Sequence, residues 1–422
     1  MAIDNKDKKV LKSSIEREQN ELACSAEREK IKGSKNLNVP HLRFPEFTEE
    51  WVNVSLKDVA DFQKERISSG LLDESTYIST ENILQNFQGV QSAISIPANT
   101  NVVAYKKNDI LLSNIRPYLK KVWFSDRIGG CSADVFVLRS KTCEPEFLYN
   151  VIASDKFINY VMSGAKGVKM PRGDKNQMES FSFSIPAVVE QRKISRLFQL
   201  LDERIVTQNK IIEDLKLLKS AIIDHIFNNE VLSFRKRMHL SDVATKITQK
   251  NTNNHVSNVL SNSANQGIIP QSEVFDREIA NEDNTSNYFV ISQNDFVYNP
   301  RKSATAPYGP INRYNGRTNG VISPLYLCFR SHNIDVEYLG WYFKSDSWYK
   351  YVYQNGDTGV RHDRVSIKDE IFFSMPLFIH NADEQIEIAK RLNKIESFVK
   401  LEEQYLFLLE SQKLYLLQQI FI

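Results

Sequence analysis

Cysteine is scarce in this sequence, and the patterns that usually mark metal sites are missing. Four cysteines occur in 422 residues, none forms a CxxC pair, and no histidine lies at ligand spacing from any of them. There is also no HExxH string. A structural zinc site is therefore disfavoured, and scattered reduced thiols are the simpler interpretation. We predict no metal site in this chain.

Long hydrophobic runs are missing too. No apolar stretch approaches the ~18 residues that a membrane-spanning helix needs. The first residues, MAIDNKDKKVLKSS, carry positive charge, but no apolar segment follows them as it would in a secretory signal peptide. These absences predict a cytoplasmic protein.

The common signatures of enzymes do not occur either. The sequence has no GxxxxGK[ST], no GxGxxG, no nucleophile elbow and no Asn-Pro-Pro-aromatic tetrapeptide. The nearest string to the last of these, YNPRKS at 298–303, lacks the second proline and the aromatic residue. Together these absences favour a binding protein over an enzyme, although an enzyme with an unrecognised site stays an alternative.

Net charge is low for a protein that binds nucleic acid. The formal charge is only +2 at pH 7, with 25% charged and 41% hydrophobic residues, which is an ordinary globular composition. Any electrostatic footprint on a nucleic acid must therefore be local. The length favours two or three domains.

What the sequence does contain is an internal duplication. Six motifs of the first half return in the second half in the same order, with a period of about 184 to 194 residues, which indicates a tandem repeat. The last motif is a Glu-Gln pair before a long helical pattern that ends in Ile-Phe, 36 positions after the Gln in both halves. The other matched strings are LKDVADF and LSDVATK, NDILLSNIRP and NDFVYNPRKS, EFLYNVIASDKFINYV and EYLGWYFKSDSWYKYV, GAKGVKMPRGDK and GDTGVRHDRVSIK, and FSFSIP and IFFSMP.

Each half is predicted to be an α+β globular unit followed by one long helix. Short runs rich in Val, Ile, Phe and Tyr, such as DILLSNI, DVFVLRS, DFVYNP and IFFSMPLF, predict strands. A helical stretch between them ends at Gly164 in the first half and at Gly356 in the second. The predicted boundaries are a charged extension at 1–38, globular domains at 39–189 and 234–381, and long helices at 190–233 and 382–422.

The long helices carry a coiled-coil pattern. Apolar residues recur at spacings of three and four, which predicts that the two helices pair through a common seam, antiparallel, with Lys219 facing Glu402. The alternative is two separate helices, each packed on its own domain. The predicted seam of the first helix is Ile194, Leu197, Leu201, Ile205, Gln208, Ile212, Leu215, Lys219, Ile222 and Ile226. In the second helix it is Ile388, Arg391, Ile395, Val399, Glu402, Leu406, Leu409, Lys413, Leu416 and Ile420.

The first long helix is electrically neutral. Residues 190–230 contain seven Lys or Arg and seven Asp or Glu, so this helix is no phosphate-binding stripe. At 1.5 Å per residue it spans roughly 60 Å. This exceeds one ~34 Å turn of B-DNA and suits a spacer with a protein-docking surface.

Positive charge is instead concentrated in the globular units. Residues 101–180 contain thirteen Lys or Arg against eight Asp or Glu. Within this stretch, the Gly-rich loop at 164–175 suits phosphates or guanine edges, although an ordinary solvated loop is the alternative. The candidate DNA-binding residues are Lys166, Lys169, Arg172 and Lys175 in this loop, and Arg361, His362 and Arg364 in its counterpart.

Two polar segments add further candidates. YISTEN at 77–82 and the Asn-rich stretch at 251–267 offer amides and hydroxyls that can read base edges, although Asn-rich stretches are more often plain loops. Two arginines just after β-like runs complete the set, with surface ion pairs as the alternative. The additional candidates are Ser79, Thr80, Asn82, Asn262, Ser263, Arg116 and Arg301.

Taken together, these features resemble the specificity (S) subunits of bacterial type I restriction–modification systems. The resemblance covers roughly residues 39 to 422. It is carried by VPHLRFPEFTEEWVNVSLKDVADF (39–62), FSFSIPAVVEQRKISRLFQLLDERI (181–205) and FFSMPLFIHNADEQIEIAKRLNKIESF (372–398). The extension at 1–38 departs from the usual start of such subunits.

The resemblance implies a function for each part of the chain. Two target-recognition domains would each read one half of a bipartite, asymmetric double-stranded DNA target. The helices would set the gap and dock two modification subunits, which use S-adenosylmethionine to methylate adenine. Restriction subunits that use ATP and Mg would join them. This chain itself would hold no cofactor and no catalytic residue. A coiled-coil scaffold without DNA specificity is the alternative.

Overall fold

A computed structural model describes residues 38–228, 235–273, 285–357 and 363–421. The charged extension predicted at 1–38 therefore lies outside the described residues, apart from Asn38. The chain divides into two compact units. Unit 1 comprises Met1–Thr207 and Phe407–Ile422, and unit 2 comprises Gln208–Leu406. Each unit thus contains one globular half, the start of one long helix and the end of the other.

The described part of unit 1 consists of three small sheets and four short helices before the first long helix. Its strands are β1 (Val52–Ser55), β2 (Ala60–Phe62), β3 (Arg66–Ser68), β4 (Tyr77–Ile78), β5 (Asn101–Tyr105), β6 (Ile110–Ser113), β7 (Val122–Phe124), β8 (Gly129–Cys131), β9 (Val135–Ser140) and β10 (Ser182–Ile185). Its helices are α1 (Leu56–Val59), α2 (Pro145–Ile152), α3 (Asp155–Ser163), α4 (Lys175–Glu179) and the long α5 (Val188–Asn228), which continues into unit 2, with 3₁₀ turns at Ser69–Leu71 and Pro117–Leu119.

The sheets of unit 1 pair in the orders β1-β10, β2-β9-β6-β7 and β3-β5-β8-β4. Only β4 and β8 run parallel among these pairs. Strand β6 is buried at all four positions, which explains why it reads ILLS rather than alternating apolar and polar residues. The single helical stretch predicted before Gly164 is two helices, α2 and α3, and Gly164 is the C-cap of α3.

Unit 2 repeats this arrangement except at one edge of its third sheet. Its strands are β11 (Lys236–His239), β12 (Ala244–Lys246), β13 (Val259–Ser263), β14 (Gly267–Pro270), β15 (Phe289–Ile291), β16 (Phe296–Tyr298), β17 (Ile311–Arg313), β18 (Gly320–Ile322), β19 (Leu327–Ser331) and β20 (Pro376–Ile379). Its helices are α6 (Leu240–Val243), α7 (Val336–Tyr342), α8 (Tyr349–Asn355), α9 (Asp369–Phe373) and the long α10 (Ala382–Ile420), with a 3₁₀ turn at Gln271–Glu273. The sheet orders are β11-β20, β12-β19-β16-β17 and β14-β13-β18-β15. In the third sheet β14 pairs with β13, and no strand of the described residues takes the place of β3.

Strand registers superimpose the two halves residue by residue. Strand β6 pairs with β9 as β16 pairs with β19, and a buried carboxylate precedes β6 and β16 alike. The carboxylate of Asp109 accepts two hydrogen bonds from Arg139, at 2.8 and 2.7 Å. Asp295 and Arg330 repeat this bidentate pair at 2.7 and 2.8 Å. The predicted α+β tandem duplication is therefore confirmed in three dimensions.

One of the sequence matches is out of register. The string IFFSMP resembles FSFSIP in its letters, but its first residues form α9 rather than a strand. The backbone N–H of Leu56 donates to the carbonyl of Phe181, and that of Leu240 donates to the carbonyl of Met375. Phe181 therefore corresponds to Met375, and the true counterpart of FSFSIP is MPLFIH. Helical and extended Phe-rich strings are hard to tell apart in short windows.

The repeated Glu-Gln pair fastens each long helix to its own globular half. In unit 1, the side-chain amide of Gln191 donates to the carbonyl of Pro186 at 2.8 Å and accepts from the backbone N–H of Glu144 at 2.9 Å. Gln385 makes the equivalent bonds to His380 (2.8 Å) and Asp335 (3.0 Å) in unit 2. Both glutamines are buried. Each long helix therefore starts at a position fixed to the segment after the preceding strand and to the N-cap of an earlier helix, α2 in unit 1 and α7 in unit 2.

An aromatic side chain at the end of the other long helix completes each core. In unit 1, the ring of Phe421 lies 5.3 Å from that of Phe147 and 5.8 Å from that of Phe198. In unit 2, the ring of Phe227 lies 5.4 Å from Tyr338 and 5.6 Å from Tyr342. Such aromatic pairs add packing energy beyond buried area. The repeated Ile-Phe ending of the helices is thus a core element.

The long helices run antiparallel where they pack. In unit 2, Gln208 contacts Glu402, and Lys219 pairs with Glu396 at 2.7 Å. Residue numbers of the contacting positions therefore increase along α5 while they decrease along α10. In unit 1, Lys413 lies 2.5 Å from Asp202. The predicted antiparallel pairing is confirmed. The predicted contact of Lys219 with Glu402 is wrong, because Gln208 occupies that carboxylate.

The predicted seam is largely correct. All ten seam positions on α5 are buried or half-buried. On α10 the exception is Arg391, which is exposed and pairs with Glu387 at 2.9 Å. The neighbouring Leu392 takes the buried place instead.

Unit 2 is expected to lose stability as the pH falls. Burial, followed by nearby Arg235, lowers the pKa of His380, whose Nδ1 lies 2.7 Å from the Tyr338 hydroxyl. The folded state therefore favours neutral histidine. The stability from this site is present above the unfolded pKa of about 6.5 and is lost as the pH falls through the lower folded value. Urea unfolding of unit 2 followed by hydrogen exchange should show this slope, and His380→Gln should flatten it. An unchanged slope in the variant would contradict the assignment.

Candidate nucleic-acid interface

The polar residues predicted near 77–82 line a cleft in unit 1. This first cleft, of about 380 Å³, lies between the end of β4 and the connection from β8 to β9. The 92–97 segment closes one side, and its Ile94 side chain is almost fully exposed. The lining residues are Tyr77, Ser79, Thr80, Glu81, Asn82, Gln91, Ser92, Ala93, Ile94, Ser95, Ile96, Pro97, Ser132 and Asp134.

Asn82 holds the turn of the first cleft together. Its side chain is only 3% exposed, and its amide nitrogen donates to the carbonyls of Tyr77 (3.1 Å) and Gln91 (3.0 Å). Its side-chain oxygen accepts from both the backbone N–H and the hydroxyl of Ser79. All four hydrogen-bonding positions are therefore occupied within the fold, so a base contact by this amide would require one of these bonds to break. Ser79 and Thr80 are half-buried at the cleft.

A second cleft occupies the equivalent place in unit 2. It has a volume of about 270 Å³ and follows the end of β13. Candidates from distant segments, Asn262, Ser263, Arg301 and Arg364, meet here. The lining residues are Ser261, Asn262, Ser263, Ala264, Asn299, Pro300, Arg301, Lys302, Ser303, Pro310, Leu325, Tyr326 and Arg364.

Asn262 has the same structural role in unit 2. Its buried amide donates to the carbonyls of Val297 at 2.7 Å and Pro310 at 3.3 Å. Its side-chain oxygen accepts from Asn312 at 2.6 Å. A base contact by Asn262 stays a prediction, and it would require one of these hydrogen bonds to break. The half-buried Ser263 lies next to it at the cleft wall.

Two arginines face each other at the second cleft. Arg301 and Arg364 are directly opposite in an antiparallel β-bridge, which places their side chains on the same face. Arg301 is exposed and lies 3.8 Å from Asp363. Arg364 is half-buried and also lines an adjoining cleft of about 560 Å³. Among the described residues, no carboxylate pairs with Arg364. Arg361 and His362 lie outside the described residues.

The basic loop of unit 1 is a closed hairpin. Lys166 and Arg172 exchange two backbone hydrogen bonds of 2.9 Å, and the tip residue Val168 is fully exposed. The Lys166 ammonium lies 2.8 Å from the Asp174 carboxylate, and this hydrogen bond lowers the pKa of Asp174. Arg172 lies 3.1 Å from Asp134. The net field of this hairpin is therefore smaller than its number of cations indicates.

The other candidates of unit 1 differ in availability. Lys169 is exposed at the hairpin tip, and no ion pair to it is present among the described residues. Lys175 lies 3.4 Å from Glu179 and 5.0 Å from the ring of Phe62. Arg116 has a left-handed backbone (φ 51°) and donates its N–H to Pro171 at the base of the hairpin. Its Nε is buried without a hydrogen-bond partner in the described part of the chain.

Sequence reasoning missed several residues at these clefts. Asp134, Ile94, Lys302, Leu325 and Tyr326 all line them. A strict alignment of the two repeats through β6 and β16 would have pointed to Lys302 beside Arg301. The remaining four reach the clefts only through pairing of distant strands, which composition does not indicate.

The described residues offer neither a metal site nor a membrane span. Within these ranges, no group of three His, Cys, Asp or Glu side chains is placed to hold a metal ion. None of the described helices is long and apolar enough to cross a membrane. The buried thiols of Cys131, Cys143 and Cys328 have pKa values raised by burial to about 12.

Comparison with known proteins finds a family match in the first half of the chain. Residues 48–217 match the type I restriction modification DNA specificity domain. This match covers most of the globular half of unit 1 and most of α5. The second half repeats two of the three sheets of the first half and most of the third.

Two curated specificity subunits are similar in sequence. The EcoDI specificity subunit of Escherichia coli is 23% identical over 49% of this chain and 47% of its own length. The MjaVIII specificity subunit of Methanocaldococcus jannaschii is 26% identical over 46% of each chain. The matched part of this chain thus spans about half the length of these curated relatives.

Solved structures show the same fold over nearly the whole chain. A chain from a structure on complex assembly and conformational transition of the type I R-M system is 16% identical, with a TM-score of 0.56. That likeness covers 89% of this chain and 97% of the other. The S subunit from M. genitalium is 12% identical, with a TM-score of 0.53, over 91% and 99% of the two chains.

Proposed function

We propose that this chain is the DNA specificity subunit of a type I restriction–modification system and reads a bipartite double-stranded DNA target, with one half-site for each globular domain. Residues 39–189 and 234–381 are the two recognition domains, and 190–233 and 382–422 form the spacer that sets the gap between half-sites. The observation that supports this most directly is the recurrence of a polar cleft at the same place in both repeats. Two related reading surfaces on one chain suit a target in two parts.

The remaining DNA-contact candidates are the hydroxyls and cations at the clefts and the hairpin. Ser79, Thr80 and Ser263 offer hydroxyls that suit base edges, and Arg301 and Arg364 offer guanidinium forks. Lys166, Lys169, Arg172 and Lys175 suit phosphates, which position a protein on DNA without carrying sequence information. Because two of the hairpin cations already pair with carboxylates, we expect phosphate contacts by the hairpin to contribute only modestly to DNA affinity.

The outer faces of the long helices suit protein partners. Several large apolar side chains there point away from the seam and are more than half exposed, as Leu217 and Leu218 are on α5 (63% and 54%). Exposed apolar clusters of this kind mark interaction surfaces. On α10 the corresponding residues are Leu401, Phe407, Leu408 and Tyr415. We propose that two modification subunits dock on these faces, that restriction subunits join them, and that S-adenosylmethionine, ATP and Mg belong to those partners.

Methylome sequencing tests the proposal. The chain would be expressed with its neighbouring modification subunit in a host without other adenine methylation. A methylated motif in two parts with an unspecified gap is the expected result. A soluble complex that leaves the host DNA unmethylated would favour a coiled-coil scaffold without DNA specificity.

Charge reversal of the hairpin is expected to weaken DNA binding. Replacing Lys166, Lys169 and Arg172 by glutamate in the assembled complex removes cations that neutralise phosphates, so affinity and the salt dependence of binding should both fall. The log–log slope should decrease by about 0.9 for each phosphate that is no longer neutralised. Fluorescence anisotropy across a salt series measures this.

Three exposed cations elsewhere in unit 1, Lys57, Lys64 and Lys106, provide a matched control for total charge. An equal decrease in affinity for the two triple variants would assign the effect to net charge alone. Unchanged binding in the hairpin variant would favour the scaffold.

A further inference from the structure

The two clefts have lining side chains of opposite charge although equivalent segments, 79–82 and 261–264, line both. Among its lining residues, the first cleft has two carboxylates, Glu81 and Asp134, and no lysine or arginine. The second cleft has three cations, Arg301, Lys302 and Arg364, and no carboxylate among its lining residues. A duplicated fold therefore presents two different chemistries.

Strand register shows which substitutions cause this difference. Leu138 corresponds to Phe329 through their partners in β6 and β16, so Asp134 corresponds to Leu325. Likewise Ile78 pairs with Cys131 of β8, and Leu260 pairs with the equivalent residue of β18, Ile322. Glu81 therefore corresponds to Ser263, and both carboxylates of the first cleft are replaced by uncharged side chains in the second.

The same register places an arginine at the same point in both repeats. Arg172 bridges Ile115 in unit 1, and Arg364 bridges Arg301 in unit 2. In unit 1 the guanidinium of Arg172 lies 3.1 Å from Asp134. In unit 2 that carboxylate is replaced by Leu325, so Arg364 lacks this partner and stays available to a ligand.

The arrangement in unit 2 is unfavourable for the fold alone. Like charges directly opposite across strands are destabilising, and Arg301 faces Arg364 at such a position. Asp363 lies 3.8 Å from Arg301 and relieves only part of this repulsion. A ligand that presents hydrogen-bond acceptors would relieve the rest, whereas a ligand that presents donors would not.

We infer that the second cleft reads a guanine in the half-site of unit 2, with Arg364 as the principal reader and Arg301 beside it. This inference rests on the proposed function. The O6 and N7 atoms of guanine are two adjacent acceptors on the major-groove edge, and the guanidinium fork matches them with two hydrogen bonds. At the first cleft the equivalent arginine, Arg172, is paired with Asp134, so we do not expect that cleft to read guanine in this way.

A phosphate oxygen offers the same acceptor chemistry, and the experiment separates the two sources. Arg364→Lys keeps the charge but removes the fork, while Arg364→Ala removes both. Each variant would be expressed with the modification subunit, and the methylated motif would be read from the genome. Guanine reading predicts that both variants relax one position of one half-site, with about 5- to 150-fold loss of discrimination at that guanine.

A second arm uses modified DNA with the wild-type complex. Replacing that guanine by 7-deazaguanine removes the N7 acceptor, so affinity should fall for the wild type and change little further for Arg364→Ala. If Arg364 contacts a phosphate, Arg364→Lys keeps the motif unchanged, Arg364→Ala weakens all sequences equally, and the inference is overturned.

The control is Glu81→Gln in the first cleft, which should leave the half-site of unit 2 unchanged. Thermal melting of each complex shows whether the variants are folded. An unaltered motif in folded Arg364 variants refutes guanine reading while the wild-type motif still supports the proposed function. Absence of any wild-type motif refutes the proposed function itself.

Discussion

Replacing Phe421 by alanine is expected to destabilise unit 1 by about 3–5 kcal/mol, the usual cost of removing a buried phenylalanine ring. Phe421 is buried between Phe147 and Phe198, although it is separated from them by more than 200 positions in the sequence. Its removal leaves a cavity in the core of the globular half of unit 1, and it frees the end of α10.

Hydrogen exchange with mass spectrometry, read on peptides from each unit, measures this effect. Phe407→Ala is the matched control, because that ring is on α10, the helix that leads into Phe421, but is 67% exposed. The mirror substitution, Phe227→Ala, should act on unit 2 in the same way through Tyr338 and Tyr342. Equal protection of unit 1 in the Phe421 and Phe407 variants would mean that the C-terminal ring contributes little to the core.

Replacing Ile212 and Leu215 together by asparagine is expected to disrupt the helix pair and, with it, partner assembly. Ile212 is 6% exposed and Leu215 is half-buried in the seam of unit 2. Burying two unpaired amides in place of apolar side chains is expected to cost about 2–5 kcal/mol. We expect complexes with modification subunits to dissociate before the globular halves unfold.

A second pair of substitutions separates the seam from the docking face. Leu217→Ser with Leu218→Ser changes exposed residues, so stability should change by less than about 0.5 kcal/mol for each. If partners dock on this face, the Leu217→Ser, Leu218→Ser variant should stay folded but should no longer retain the modification subunit in a pull-down. Retained partner binding in the seam variant would count against a spacer that also carries the docking surface.

The hydrophobic periodicity and the repeated strings of the sequence were sufficient to predict the architecture. The spacing of Ile212, Leu215 and their neighbours predicted the helix seam, because a helix that buries one stripe must repeat apolar residues every three or four positions. The matched strings predicted the duplication, and Gly164 and Gly356 do cap helices. These features are local, so they can be recognised in a single sequence.

The register and the roles of polar residues were not accessible in this way. Lys219 pairs with Glu396 instead of Glu402, since the axial offset of two helices depends on how both ends dock in their cores. Asn82 and Asn262 looked like base readers in their polar strings, but both are buried and satisfied within the fold. A polar side chain has the same letter whether it faces solvent or a backbone carbonyl.

The sequence by itself determined a tandem α+β protein with two paired helices and no recognisable catalytic motif, because repeats, periods and motifs are properties of neighbouring residues. Only the tertiary structure decided which of two equivalent arginines is free, in the described part of the chain, of a carboxylate partner across the cleft and so available to a ligand. Arg172 and Arg364 occupy the same position in the two repeats, and the first is paired because Asp134 lies across the cleft. In the second repeat Leu325 takes that place. Contacts between distant strands set the charge of each cleft, and no local pattern records them.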